Sequence, residues 1–476
     1  MSGPGTTPSL SDAGNAERFA AANSWRLRFV HRVNRWHVWD GRRWALDETN
    51  EAMRLALVTV RAIRDEADAA PTEAERRTIG RHALVSESTR ALKNLLEAAS
   101  SVASVATKQD DLDCNPWLLN CENGTLDLRQ KSCRLYPHNS EDLITKLAPV
   151  TYDAEAKCPT WDAFLARVTG GNGRLQQFIQ RAIGYSLTAD VGEHALFLLY
   201  GSGANGKSTL LETLLAILGD YAKTAAPGLL MRTREGRHEE QIAELKGVRF
   251  CTGQESGVDQ ALDEPKLKYL TGGDTVSARR MYADRIEFAP SHKFWIATNH
   301  KPRIRGGDDG IWRRMKLIPF EQVIAEHERD PRLKEKLRAE APGILSWAVQ
   351  GCLAWQQDGL GVPDEVRDAT ASYRASEDQL VHFLEEACIV SLTASCPWSQ
   401  LYETYQSWAG AAGERPMSQP ALGEALEARG FEKKRIRSGR IWVGVAPRGE
   451  FGVAVSAGAG ISDNSSMPPR ERGCPN

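Results

Sequence analysis

Residues 201–209 read GSGANGKST. The spacing Gly201-x4-Gly206-Lys207-Ser208 is the pattern of a loop that closes around phosphate oxygens. Glycines let backbone N–H groups converge on an anion, and the first turn of a following helix adds partial positive charge. In that chemistry Ser202, Gly203, Ala204 and Asn205 supply the loop backbone. Lys207 reaches the β- and γ-phosphates of ATP, the Ser208 hydroxyl ligates Mg2+, and Thr209 opens the helix. The flanks agree, since the apolar run Ala195–Tyr200 precedes the loop and Thr209–Leu218 has helical character up to Gly219. The alternative is a chance match in a glycine-containing loop.

Several elements must position this loop. Strand-like and helix-like segments alternate from His194 to about Phe320, which predicts an α/β core. Ahead of it, RLRFVHRVNRWHVWDGRRWALDE has period-2 features with a turn at Asp40-Gly41, and Trp36, Trp39 and Trp44 suit cross-strand packing. Residues 50–108 read as helical, Asn123-Gly124 as a hairpin, and 161–187 as two helices around a glycine-rich loop. The expected boundaries are a disordered tail at 1–20, a mixed α+β region at 21–160, the ATPase core with its leading helices at 161–345, a helical connector at 346–377, a small C-terminal domain at 378–446 and a tail at 447–476.

The 476 residues carry 41% hydrophobic and 26% charged residues with net charge −2. That describes a globular protein without a global basic field, so any nucleic-acid site is a local patch. No apolar run approaches a membrane span and the N-terminus lacks a secretory pattern, so no membrane partner and a cytoplasmic location are expected. Nine scattered cysteines without a CxxC pair suit reduced thiols. Cys114, Cys121, Cys133 and His138 fit no standard zinc spacing. One local excess stands out: Lys266 to Lys316 holds twelve Lys/Arg against five Asp/Glu.

Taken in order, NPWLLNCENGTLDL, CPTWDAFL, YGSGANGKST, GQES, KLKYLTGGDTVSARRMY, FWIATNHKPRIRG and IWRRMKLIPF resemble the superfamily 3 helicases, in particular the helicase part of phage and plasmid primase-helicases related to the poxvirus type. The resemblance runs from about Trp36 to Val445. It implies an α/β P-loop NTPase with an AAA+-like core, a mixed α+β N-terminal domain and a C-terminal winged-helix domain. It further implies a homo-hexameric ring that hydrolyses ATP with Mg2+ while unwinding DNA during replication.

Residue by residue, the resemblance gives Glu255 the Walker B role and Asn299 the sensor 1 role. Arg249, Gly253 and Gln254 depart from the family's pattern around Glu255, which would otherwise be an ordinary surface acid. Asn299 alone would read as a turn former. TVSARRMY and RIEFAP suggest a DNA-gripping hairpin with Arg279, Arg280, Tyr282 and Arg285 near its tip, and Lys266 and Lys268 just upstream; a solvated hairpin or an interface is the alternative. Arg313 or Arg314 would enter a neighbouring subunit's site as an arginine finger, while Arg303 and Arg305 suit either interface or DNA.

In the C-terminal part, WSQLYETYQSW predicts a core-facing helix, Ser418 caps PALGEALEAR, and EKKRIRSGRIWVGV predicts a hairpin with Lys433, Lys434, Arg435, Arg437 and Arg440. The hairpin resembles the family's DNA-binding wing; a solvated wing packed on its own domain is the alternative. The partners expected are single-stranded and forked DNA and a separate primase or polymerase. Only some thirty-five residues precede WHVWDGRRW, and Asp111 and Asp113 lack a partner histidine motif, so primer synthesis is not expected. The competing reading is a non-unwinding DNA-binding ATPase for origin recognition or loading. A small-molecule phosphotransferase would leave the basic hairpin unexplained.

Overall fold

The computed structural model describes residues 8–129, 133–232, 239–254, 260–279, 285–304, 309–412, 416–437 and 439–449. Two compact units divide the chain, the first ending at Arg374 and the second starting at Ala375. The first opens with helix α1 (Asp12–Asn23), capped by Ser11, whose Oγ accepts from Gly14 N at 3.2 Å. Polar composition predicts a tail over 1–20. Instead Ala16, Phe19 and Ala20, at i, i+3 and i+4, form a buried stripe. Ala16 and Phe19 share a core with residues of α2 (Glu51–Asp68), α3 (Glu73–Ser86) and α4 (Thr89–Ser100).

Between α1 and α2 runs an antiparallel sheet of β1 (Leu27–Val30), β2 (Arg35–Trp39) and β3 (Trp44–Leu46). Its second turn is fixed by Asp40 Oδ1, which accepts from Arg42 N and Arg43 N, both at 2.8 Å. Trp39 faces Trp44 in register, with ring centroids 5.7 Å apart. A second antiparallel sheet follows, β4 (Leu118–Cys121), β5 (Gly124–Asp127) and β6 (Arg134–Tyr136). Helices α5 (Pro159–Val168) and α6 (Gly173–Ser186) then lead into the core.

The core is a five-stranded parallel sheet. Its members are β7 (Leu196–Tyr200), β8 (Ala222–Thr224), β9 (Phe250–Gln254), β12 (Lys293–Thr298) and β13 (Met315–Pro319), and their order in space is β13-β7-β12-β9-β8. Such sheets need crossovers. Here α7 (Lys207–Leu218), α8 (Glu239–Ala243), α9 (Glu264–Thr271) and α10 (Asp309–Trp312) lie in them, with an antiparallel ribbon of β10 (Val276–Arg279) and β11 (Arg285–Phe288). The first unit is therefore mixed α/β around a parallel sheet.

Arg249 and Gly253 look unsuited to a sheet strand, yet β9 forms between β12 and β8. Arg249 lies just before the strand with its guanidinium buried, donating to Leu187 O at 2.6 Å and Leu118 O at 2.7 Å. Lys293, buried at the start of β12, donates to Ser291 O at 3.0 Å, Asp190 O at 3.1 Å and Thr188 O. Part of the basic excess in 266–316 is thus internal.

Helix α12 (Ala341–Asp358), preceded by α11 (Leu333–Ala339) and followed by α13 (Asp364–Ser376), is more than a connector. Ile344, Leu345, Ala348, Val349 and Cys352 lie in the main core. Its backbone meets α6 so closely that a Cβ on Gly184 would fall 2.0 Å from Cys352 N.

In the second unit, α14 (Gln379–Ala387), α15 (Trp398–Ala411) and α16 (Gln419–Ala428) accompany an antiparallel sheet of order β14-β16-β15. Its strands are β14 (Cys388–Pro397), β15 (Glu432–Ile436) and β16 (Gly439–Pro447). Leu401, Tyr405, Trp408 and Trp442 fill its core, and Ser418 Oγ accepts from Ala421 N at 3.4 Å. Among the described residues, no helix is long and apolar enough to cross a membrane.

His292 is buried, and burial together with the Lys293 charge pushes its pKa down to about 3. The unfolded value lies near ~6.5, so protonation favours unfolding. The stability this group contributes is fully present above about pH 6.5 and is lost as pH falls towards 3. Denaturant midpoints at pH 7.5 and 5.0 should show wild type losing about 2 kcal/mol more than His292→Leu.

Candidate functional site

Register brings three chain crossings to one edge of the sheet. Tyr200, the last residue of β7, pairs with Thr298, the last of β12, and Ala297 pairs with Gln254, the last of β9. The residues that leave the sheet at this level are Gly201 and Asn299, with Glu255 next in the chain after β9. Glu255 lies outside the described residues, as do Arg280, Tyr282 and Arg305. Carboxyl ends of parallel strands are where α/β sheets place ligands.

After β7 the loop turns through three positive φ values, Gly203 at 106°, Ala204 at 51° and Gly206 at 85°. Helix α7 then starts at Lys207 with no side chain capping it. Gly206 has two reasons to be glycine. Its φ is left-handed, and a Cβ there would lie 2.6 Å from Val168 Cγ1 and 2.9 Å from Phe164 Cε2. Ser202 and Ser208 are exposed, Thr209 is half-buried, and Asn205 and Lys207 are buried.

Lys207 Nζ donates to Gly201 O at 2.8 Å, Asn205 Oδ1 at 2.9 Å and Asn299 Oδ1 at 3.0 Å. The structure therefore joins two residues 92 positions apart in the sequence, the lysine of the glycine loop and the asparagine ending β12. Asn205 Nδ2 also donates to Phe320 O at 2.8 Å. Neither this bond nor Phe320 was legible beforehand, since only the position of the asparagine inside the loop drew attention to it. An uncapped helix start, a left-handed glycine turn and a buried ammonium form a donor set of the kind that receives an anion.

The paired arginines separate. Arg314 is buried, donates to Gly310 O at 2.7 Å and offers its own carbonyl to Leu196 N. Arg313 is exposed. The Arg314 guanidinium is turned inward, whereas Arg313 has access to solvent. Arg303 is half-buried, with its backbone bonded to Gln260 and Leu262.

On the β10–β11 ribbon Arg279 and Arg285 are exposed and directly paired in register. Arg285 Nη2 lies 3.4 Å from Glu239 Oε1, and Arg32 Nη2 donates to Arg285 O at 3.1 Å. Lys266 and Lys268 are half-buried on α9, and Lys266 Nζ is 3.3 Å from Asp263 Oδ2. In the second unit Lys433, Lys434, Arg435, Arg437 and Arg440 are all exposed, and Arg435 pairs with Arg440 across β15–β16. Like charges directly opposed on a ribbon disfavour its pairing. No group of His, Cys, Asp and Glu among the described residues could hold a metal ion.

Two family models match the chain: D5 N terminal like over residues 16–170, and a family of unknown function, DUF5906, over residues 199–314. A protein of Acanthamoeba polyphaga mimivirus assigned by name as a helicase is 29% identical over 298 residues, covering 58% of this chain and 31% of the relative. An African swine fever virus protein assigned by name as a primase is 24% identical over 324 residues, covering 62% of this chain and 34% of the relative. The chain spans about a third of the length of these relatives. Among solved structures, the C-terminal region (305–718) of NrS-1 aligns with a TM-score of 0.47 and 10% identity, covering 92% of this chain and 100% of that one. The chain thus carries a D5 N terminal-like region ahead of a DUF5906 region and is similar to proteins of large DNA viruses assigned by name as helicases or primases.

Proposed function

We propose that the protein is an ATP-dependent DNA helicase that works as an oligomeric ring, a homo-hexamer, in the replication of a phage, plasmid or integrated mobile element. The observation that carries this reading is the bond between Lys207 and Asn299, which unites the glycine loop and the end of the adjacent strand at one point. The two matched regions, and relatives assigned by name as helicases or primases in large DNA viruses, support it.

In this reading residues 201–206 are a P-loop. Its backbone N–H groups and the start of α7 receive the β- and γ-phosphates, and Lys207 exchanges its carbonyl and amide partners for phosphate oxygens. Ser208 and Glu255 would hold Mg2+, which would supply positive charge to offset that of the phosphates. Asn299, neutral and able both to donate and to accept, orients water or a γ-phosphate oxygen without adding charge. Arg313 of one subunit enters its neighbour's site and stabilises charge that develops on the transferred group. The β10–β11 ribbon, with Arg279 and Arg285, grips the sugar–phosphate backbone of single-stranded DNA. The second unit is a winged helix with β15–β16 as the wing, suited to duplex at a fork. A separate primase or polymerase supplies the primers.

Lys207→Ala should lower ATPase kcat by about 100-fold or more and abolish strand displacement on forked DNA. ATPase activity without any displacement would favour the loading factor. Mixtures of Lys207→Ala and Arg313→Ala subunits should regain ATPase activity at shared interfaces, and no recovery under subunit exchange would refute a composite site. In Arg279→Ala/Arg285→Ala the slope of log affinity for single strands against log salt should fall by about 1.4, as expected for two lost phosphate contacts.

A further inference from the structure

The carboxamide of Asn205 is unusual for a residue inside a glycine loop, because both of its ends are used. It is 2% exposed. Its Oδ1 accepts from Lys207 Nζ at 2.9 Å, and its Nδ2 donates to the carbonyl of Phe320 at 2.8 Å, just past the end of β13. The surroundings are built to keep this bridge. A Cβ on Gly201 would lie 2.1 Å from Asn205 Nδ2 and 2.2 Å from Phe320 O, so the glycine at 201 makes room for the strut as well as for an anion. The segment after β13 clasps the loop on both sides of it: Phe320 N donates to Tyr200 O at 2.7 Å, and Ile324 N donates to Ala204 O at 2.8 Å.

We infer that Asn205 is a positioning residue, a strut that sets the Lys207 ammonium against the β13 segment, so that the loop and the strand starting two residues after Arg313 form one hydrogen-bonded unit. For catalysis the inference rests on the nucleotide reading above. The placement of Lys207 itself can be measured without nucleotide.

A carboxamide can accept from an ammonium at one end and donate to a carbonyl at the other. Asn205→Asp keeps the acceptor and turns the bond to Lys207 into an ion pair, but it sets a carboxylate oxygen against Phe320 O. Asn205→Ala removes both bonds and leaves that carbonyl unmet. The two variants should therefore move Lys207 in opposite senses, which general loosening of the fold cannot do.

The test uses the full chain without nucleotide. An amine-acylating reagent is applied, and labelling of Lys207 is measured by mass spectrometry against exposed Lys334. Labelling of Lys207 should rise severalfold in Asn205→Ala and fall below wild type in Asn205→Asp, with Lys334 unchanged. In steady-state ATPase assays both variants should lose roughly 10- to 100-fold in kcat, with KM for ATP much less affected.

Activity of Asn205→Asp relative to wild type should rise as pH falls, because a protonated carboxyl regains the donor to Phe320 O. Labelling that is unchanged, or that shifts in the same direction in both variants while their melting midpoints match wild type, would overturn the inference. Opposite labelling shifts in the two variants, with no ATP hydrolysis by wild type, would leave the strut standing and refute only the nucleotide reading.

Discussion

Buried cations must be met by oxygens fixed in advance, because an ammonium or guanidinium removed from water costs several kcal/mol if left unmet. Arg249 lies just before β9 and Lys293 begins the neighbouring β12, and Lys293 N donates to Arg249 O. Their charges oppose each other, and burial followed by the Arg249 charge depresses the Lys293 pKa. One short segment answers both. Leu187 O receives Arg249, and the Thr188 and Asp190 carbonyls receive Lys293. That segment is the C-terminal exit of α6, where unpaired carbonyls and the negative end of the helix dipole collect. The two strands are thereby pinned at their starts, and a parallel sheet carries the registration to their ends, where Gln254 and Asn299 emerge level with Gly201.

The same solution recurs at the opposite edge. Lys207 is also buried, and the partners described for it, a backbone carbonyl and two carboxamides, are neutral. These oxygens lower the cost of burying the ammonium.

Much of this was legible from the chain. The glycine loop, the strand ahead of it, the helix behind it, the two antiparallel hairpins, the basic ribbon and the capped helix after Ser418 carry local signatures that require no distant contact. What escaped depends on neighbours. Arg313 and Arg314 are indistinguishable by type, and only the turn into β13 decides which side chain is buried. Lys293 counts as surface charge until β12 is seen to start beneath the exit of α6. Helix α12 reads as a connector because GILSWAVQGC spends glycines where apolar side chains would announce a core, yet these glycines let two backbones touch. Helix α1 was hidden in a polar stretch because a small stripe of Ala16, Phe19 and Ala20 is enough once the bundle is there to cover it.

The contact between Gly184 and Cys352 has a consequence for the order in which the molecule can assemble. Helix α6, whose exit solvates the two buried cations, is seated by a helix that emerges from the ribosome long after it. The sheet has the same property, since β13 lies beside β7 although it is the last of the five strands in the chain. Contacts of such sequence separation are paid for in loop entropy before they are rewarded, and they slow folding. Completion of this edge of the sheet is therefore a late, all-at-once event in biogenesis. A fragment that ends before α12 lacks the seat for α6, and a nascent chain presents the glycine loop well before the structure that shapes it.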